Sequence, residues 1–222
     1  MIKARSLLLF AQALMVCIEM NAQLTILRDN GTGNPITANP YLEVKGSQYL
    51  HDFRPGIIYL PDGQAVEGLP IALNGYENTL EYKIGDRLYA YSPEKLKGFS
   101  YVSESGEKIV FTSAFTVPTL SKRRFLQVLE NEGAYQLLLH TYKIMANDVT
   151  AAYGAQSAKV FQNQEEFFVV KDANVFLLKN KQKDLQAIFG GDFEKASALI
   201  GDQKINFKDK DAVKSLIRQM NQ

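Results

Sequence analysis

The 222-residue sequence predicts an α+β protein: an antiparallel β-rich body, arranged as a meander, sandwich or roll, followed by a short C-terminal helical segment. Three observations carry this reading. From Gly56 to Lys179 apolar and polar residues alternate in short runs, the period of a sheet with one buried face, and turn residues punctuate the runs at short intervals. After Lys183 the apolar spacing lengthens to that of an amphipathic helix. Strands come first and helices last, which excludes alternating βαβ units.

The predicted organisation has four regions: a signal peptide over 1–22, an irregular arm over 23–55, the β-rich domain over 56–181, and helices over 182–222 packed on it. In the leader, Lys3 and Arg5 form a positive start, Ser6 to Ile18 an apolar run, and Met20, Asn21 and Ala22 a cleavage site. The apolar run ends at Glu19, short of the roughly 20 residues a membrane helix needs. A rival reading takes Leu14 to Cys17 as a lipidation box, but Val16 is bulky where that box needs a small residue. Cleavage after Ala22 predicts an extracytoplasmic chain, periplasmic or secreted, with no transmembrane segment.

Within the arm, Asn30 to Pro35 and Asn39-Pro40 are dense in turn formers. The first strand of the body is Ile57 to Leu60, turned by Asp62-Gly63. Leu69, Ile71 and Leu73 alternate up to Asn74-Gly75; Leu80, Tyr82 and Ile84 up to Gly85-Asp86; Leu88 to Tyr91 ends at Ser92-Pro93. Gly98 to Ser103 and Lys108 to Thr112 flank Ser105-Gly106, and Phe125 to Glu130 pairs with Ala134 to Tyr142. Residues 144–158 lose the alternation and read as a short helix or a mobile loop. A last hairpin joins Glu166 to Lys171 with Val175 to Lys179. Leu185, Ile188 and Phe189 then form a helical stripe closed by Gly190-Gly191. Asp192 is positioned to cap a second helix with Phe193, Ala196, Leu199 and Ile200 inward. Residues 204–208 read as extended, and Asp209 precedes a third helix with Val213, Leu216, Ile217 and Met220 on one face.

The only cysteine is Cys17, so the mature chain has no disulfide, thiolate ligand or cysteine nucleophile. Hydrophobic content of 46% and charged content of 22% are ordinary for a globular protein. The net charge is +1, and nothing supplies the basic face that nucleic-acid binding requires.

The runs Gly46 to Leu50, Phe53-Arg54-Pro55-Gly56, Asp62-Gly63, Arg123 to Leu129 and Ile205 to Lys208 before the last helix resemble a group of small secreted proteins of Bacteroidota. The resemblance spans nearly the whole mature chain through structural motifs. It implies an envelope or extracellular location and supplies no catalytic site.

No nucleophile elbow, P-loop, dinucleotide fingerprint or close-spaced histidine pair occurs, so no cofactor or metal is expected. His51-Asp52 reads as a surface hydrogen bond and His140 as a satisfied structural imidazole. Glu165-Glu166 reads as a solvated turn before the Phe167 strand. The compact basic triplet Lys122, Arg123 and Arg124 either holds an anionic partner or keeps a strand edge soluble, the second being the default. Tyr89 and Tyr91, among the aromatics of neighbouring strands, are candidates for an outward binding platform.

The leading expectation is a non-enzymatic extracytoplasmic binding or structural protein of the envelope, with an unidentified protein, peptide or small ligand as partner. The alternative is a carboxylate-based hydrolase using His51. An eight-stranded membrane barrel is set aside, because the strands are short and the tail is helical.

Overall fold

The computed structural model describes residues 33–36, 40–148 and 159–222. The segment read as a signal peptide, the cleavage site expected after it and Cys17 lie outside the described residues, as do residues 149–158 of the segment read as helix or loop.

The architecture is α+β, with one large antiparallel sheet and a helical C-terminus. Eleven strands form the sheet in the order β1-β5-β4-β3-β2-β6-β7-β10-β11-β12-β13. Their ranges are β1 Asn34–Ile36, β2 Arg54–Tyr59, β3 Ala65–Asn74, β4 Thr79–Ile84, β5 Arg87–Tyr91, β6 Gly98–Val102, β7 Lys108–Thr112, β10 Leu126–Glu130, β11 Gln136–Asn147, β12 Lys159–Lys171 and β13 Asn174–Leu177. A separate hairpin pairs β8, Thr116–Val117, with β9, Lys122–Arg123.

The meander β2 to β5 is followed by a return: the chain passes from Tyr91 to Gly98 and places β6 beside β2. In a flat sheet that step crosses four strand spacings, about 19 Å. The short connection contains a compact 3₁₀ turn at Pro93–Lys95, so the sheet must curl for the ends to meet. The curl encloses a core of Ile58, Leu60, Ile71, Leu73, Leu80, Tyr82, Phe99 and Phe111 from β2 to β7 and the loop after β2. Tyr82 stacks between Tyr89 and Tyr91, with ring centroids 5.5 and 5.2 Å away.

The other half, β10 to β13, is covered on both faces. Alternation sends Leu137, Leu139, Phe167 and Val169 to the helical side and Leu126, Leu138, Phe168 and Val170 to the side closed by Val117 of β8. Three helices cover the first side: α1 Gln182–Phe189, α2 Phe193–Asp202 and α3 Lys210–Met220. Helix α1 ends at Gly190, whose φ of 55° requires a residue without a Cβ penalty. Helix α3 is capped by Asp209, whose carboxylate accepts from the Asp211 and Ala212 amides, and buries Val213, Leu216, Ile217 and Met220.

Several expectations are corrected. The arm is not wholly irregular: Asn34–Ile36 pairs with β5, and Tyr49 bridges to Asn74. Residues 144–147 continue β11, and β12 begins at Lys159, well before Glu166. Glu165 and Glu166 are therefore mid-strand, not in a turn. Asp192 makes no capping bond; its carboxylate instead accepts from the Tyr135 hydroxyl at 2.6 Å, tying the α1–α2 junction to the start of β11. Residues 204–208 form turns, because Ile205 donates back to the Ile200 carbonyl and Asp209 to that of Asn206.

No helix among the described residues is long and apolar enough to cross a membrane.

Candidate functional site

The two halves of the sheet meet where the β3–β4 turn approaches β11, with the Lys143 amide donating to the Gly75 carbonyl at 3.0 Å. Beside that contact lies a cavity of about 300 Å³. Four pieces of chain form it: Gly75, Tyr76 and Asn78 of the β3–β4 turn, Thr119 and Leu120 of the β8–β9 turn, Arg124 just after β9, and His140, Tyr142, Lys143 and Glu166 of β11 and β12.

His140 is placed there by strand period. It lies two residues after the buried Leu138, on the same sheet face, and faces Glu166 in the β11–β12 register. Its ring stacks on Tyr142, centroid to centroid 4.8 Å. Glu166 Oε2 stands 3.8 Å from His140 Nδ1, close enough to interact but too far for a hydrogen bond. Neither imidazole nitrogen has a partner, although the side chain is only 4% exposed. Burial and the neighbouring Arg124 charge together push the His140 pKa down to about 4, so the ring is neutral at pH 7.

Arg124 and Asn78 share this condition. The Arg124 Nε is buried without an acceptor, and so is the Asn78 Nδ2. Asn78 sits at φ 56°, a left-handed position that asparagine tolerates, and its Oδ1 accepts from the Phe125 amide at 3.3 Å. That bond orients the amide so that the NH₂ is left over. Among the described residues, every buried side-chain polar atom without a partner belongs to Asn78, Arg124 or His140, and all three line this one cavity. Native proteins rarely leave such atoms orphaned. Burial also lowers the Lys143 pKa.

A larger cavity, about 500 Å³, lies on the opposite side of the β3–β4 turn. Here Glu81 is 3% exposed, yet its carboxylate accepts from the Tyr49 hydroxyl at 2.5 Å and the Asn74 amide at 2.8 Å. Glu77 accepts from the Tyr41 hydroxyl. Burial, with those carboxylates adding to it, raises the pKa of both tyrosines, so they remain protonated donors. This space is lined by acceptors whose donors the chain itself provides.

The sequence-predicted residues are dispersed. The basic triplet splits: Lys122 and Arg123 stand exposed on β9, whereas Arg124 turns toward the smaller cavity. Tyr91 is buried in the core, and Tyr89 is partly buried against it; both rings stack on Tyr82. His51, not His140, is the satisfied imidazole. Its Nδ1–H donates to the Asp52 carbonyl at 2.8 Å and its Nε2 accepts from the Leu73 amide at 3.4 Å, while the ring lies over Tyr101. The expected hydrogen bond at His51-Asp52 is present, made to the backbone carbonyl, whereas His140, expected to be satisfied, is not. Among the described residues no group of three or more metal-binding side chains converges.

Asn78 and Tyr142 are not singled out by the sequence, and Glu166 reads there as part of a solvated turn rather than of a site. The alternation of Leu138 with His140 was the available signal for a histidine on a buried face. No family model, curated protein or solved structure matches this chain.

Proposed function

We propose that this chain is a non-enzymatic, extracytoplasmic binding protein of the cell envelope, and that its ligand is a small polar molecule held in the cavity between Arg124 and Glu166. The observation that carries the reading is the convergence of unpartnered buried atoms of Asn78, Arg124 and His140 on one space. Each such atom costs about 1–3 kcal/mol when desolvated without a partner, and a ligand that pairs with them recovers that cost. The export part of the proposal rests on the leader pattern and on the resemblance to secreted proteins.

The test is to purify the exported protein gently, denature it, and compare the released small molecules by mass spectrometry with those from a His140→Ala protein prepared in parallel. A compound enriched with the parent chain and absent from the variant is expected; identical profiles would contradict the proposal. Intact mass of the same sample checks processing, with cleavage between Ala22 and Gln23 expected and a diacylglyceryl adduct on Cys17 excluding it.

The hydrolase reading is favoured by one observation, a neutral His140 with Glu166 3.8 Å away, which sets an imidazole base beside a carboxylate without a hydrogen bond between them. Among the described residues the cavity is lined by one carboxylate, however, and carboxylate-pair hydrolysis needs two. His51 has both nitrogens engaged and no carboxylate on its ring. Recovery of an altered compound rather than an intact ligand after prolonged incubation would turn the assignment toward catalysis.

A further inference from the structure

We infer that the ligand of the Arg124–His140 cavity is a small organic carboxylate, its anionic head bound by the Arg124 guanidinium and the Asn78 amide, with a hydroxyl or amine on the same molecule reaching Glu166. This rests on the proposal that the cavity binds a ligand at all, and gives it a chemical class.

Charge is the first argument. Arg124 and Lys143 both line the cavity, and among the described residues neither has an ion-pair partner. Among the described residues Glu166 is the single acidic side chain there, so two cations face one anion and the space favours a ligand bearing one negative charge. The hydrogen-bond inventory is the second. Arginine Nε and asparagine Nδ2 only donate, and a neutral imidazole always offers one N–H. Three donors without acceptors call for a group rich in lone pairs, and a planar carboxylate matches the planar guanidinium fork. Glu166 only accepts when ionised, so the other end of the ligand must donate. Size is the third. About 300 Å³ is the volume of roughly ten water molecules, which suits a hydroxy acid, amino acid or sugar acid and is too small to enclose a long peptide or an oligosaccharide.

The probes are lactate, propionate, the neutral isostere propionamide, and inorganic phosphate, titrated into the exported mature chain labelled at its imidazoles. The mature chain has two histidines, so His140 reports the cavity by NMR while His51 controls for global change. Propionate and lactate should shift the His140 resonances saturably and leave His51 in place, lactate binding the more tightly. Propionamide should bind about tenfold more weakly, since a charge-assisted hydrogen bond is roughly twice as strong as a neutral one. Arg124→Gln should shrink the difference between propionate and propionamide to the part that Lys143 supplies. Should that variant misfold, seen as a displaced His51 signal, Lys143→Met should reduce propionate binding severalfold through charge alone. Equal binding of propionate and propionamide would overturn the anion class and leave the binding cavity standing. Saturable binding of phosphate alone would overturn the carboxylate in favour of a phosphoryl ligand. Silence of His140 toward every probe, with a compound still recovered from the exported protein, would sink the class but not the site; silence together with an empty recovery would sink both.

Discussion

Asn74 and Glu77 face the larger cavity while Gly75, Tyr76 and Asn78 of the same turn face the smaller one, and the two spaces treat their polar groups in opposite ways. In the larger, each carboxylate meets a tyrosine hydroxyl, and Glu81 also meets the Asn74 amide. In the smaller, donors are buried and left over. A buried polar group that is fully bonded holds structure together; one that is left bare costs stability in the free protein and is retained where something else uses it. Size alone would rank the larger cavity first as a binding site. Hydrogen-bond accounting reverses the order and assigns the larger one a part in holding the arm, through Tyr41 and Tyr49, against β3 and β4.

The largest expected effect tests that assignment. Glu81→Ala removes two charge-assisted hydrogen bonds, leaving the buried Asn74 amide and the part-buried Tyr49 hydroxyl without their acceptor, so it should destabilise the fold by about 4 kcal/mol in urea unfolding. Glu81→Gln retains an acceptor oxygen and should cost only about 1 kcal/mol. A neutral Glu81→Ala would erase the contrast between the cavities.

Acid provides the next largest effect. The folded His140 pKa lies near 4, below the 6.5 of an unfolded histidine, so the unfolded chain takes up the proton first as pH falls. The stability this neutral ring contributes is complete above pH 6.5, declines from there to about pH 4, and changes no further below that. The full loss is about 3 kcal/mol at 1.36 kcal/mol per pH unit. His140→Phe keeps the stack on Tyr142 and cannot titrate, so its unfolding curves at pH 7 and pH 4.5 should differ much less than those of the parent chain. Some slope remains, because burial also lowers the His51 pKa.

How far the sequence reveals these features depends on where the bonding partners sit along the chain. Strands β4 and β5 are legible because Leu80, Tyr82, Tyr89 and Tyr91 alternate over a single packed face. Helix α3 is legible because its cap and its stripe are both local. The first half of β12 is not: Gln162 to Glu165 are exposed and pair only with the far end of β11, so no buried face imposes an alternation. Asp192 carries the signature of a cap and is diverted by Tyr135, from far earlier in the sequence. His140 is the clearest case. Its apolar neighbours announce burial, but whether the ring is satisfied depends on Asn78 and Arg124, which two separate turns bring to it.

A smaller effect has the opposite sign to that of Glu81. Arg124→Met removes a buried Nε that has no acceptor and keeps an unbranched side chain in its place, so the free protein should gain about 1 kcal/mol at pH 7 while losing its ligand. Thermal unfolding with and without the ligand separates the two consequences: a higher midpoint alone, and a smaller rise on ligand addition. Loss of stability in the free variant would mean that Arg124 is already engaged by the chain, as the groups of the larger cavity are.

The smallest expected effect concerns the two remaining cations of the triplet. Lys122 and Arg123 stand in solvent on β9, where water and salt screen them, and neither lines the smaller cavity. Reversing both to glutamate, with Arg124 intact, changes only the field through which an anionic ligand approaches. Affinity at physiological salt should therefore fall by no more than about threefold, with the deficit growing as salt is lowered and carried by the association rate rather than by dissociation. Arg124→Gln should do the reverse, speeding dissociation with little dependence on salt, because its buried nitrogen would act at contact distance. A double reversal that abolished binding at high salt would move the site onto the exposed face of the β8–β9 hairpin, and the unpartnered atoms behind it would need another explanation.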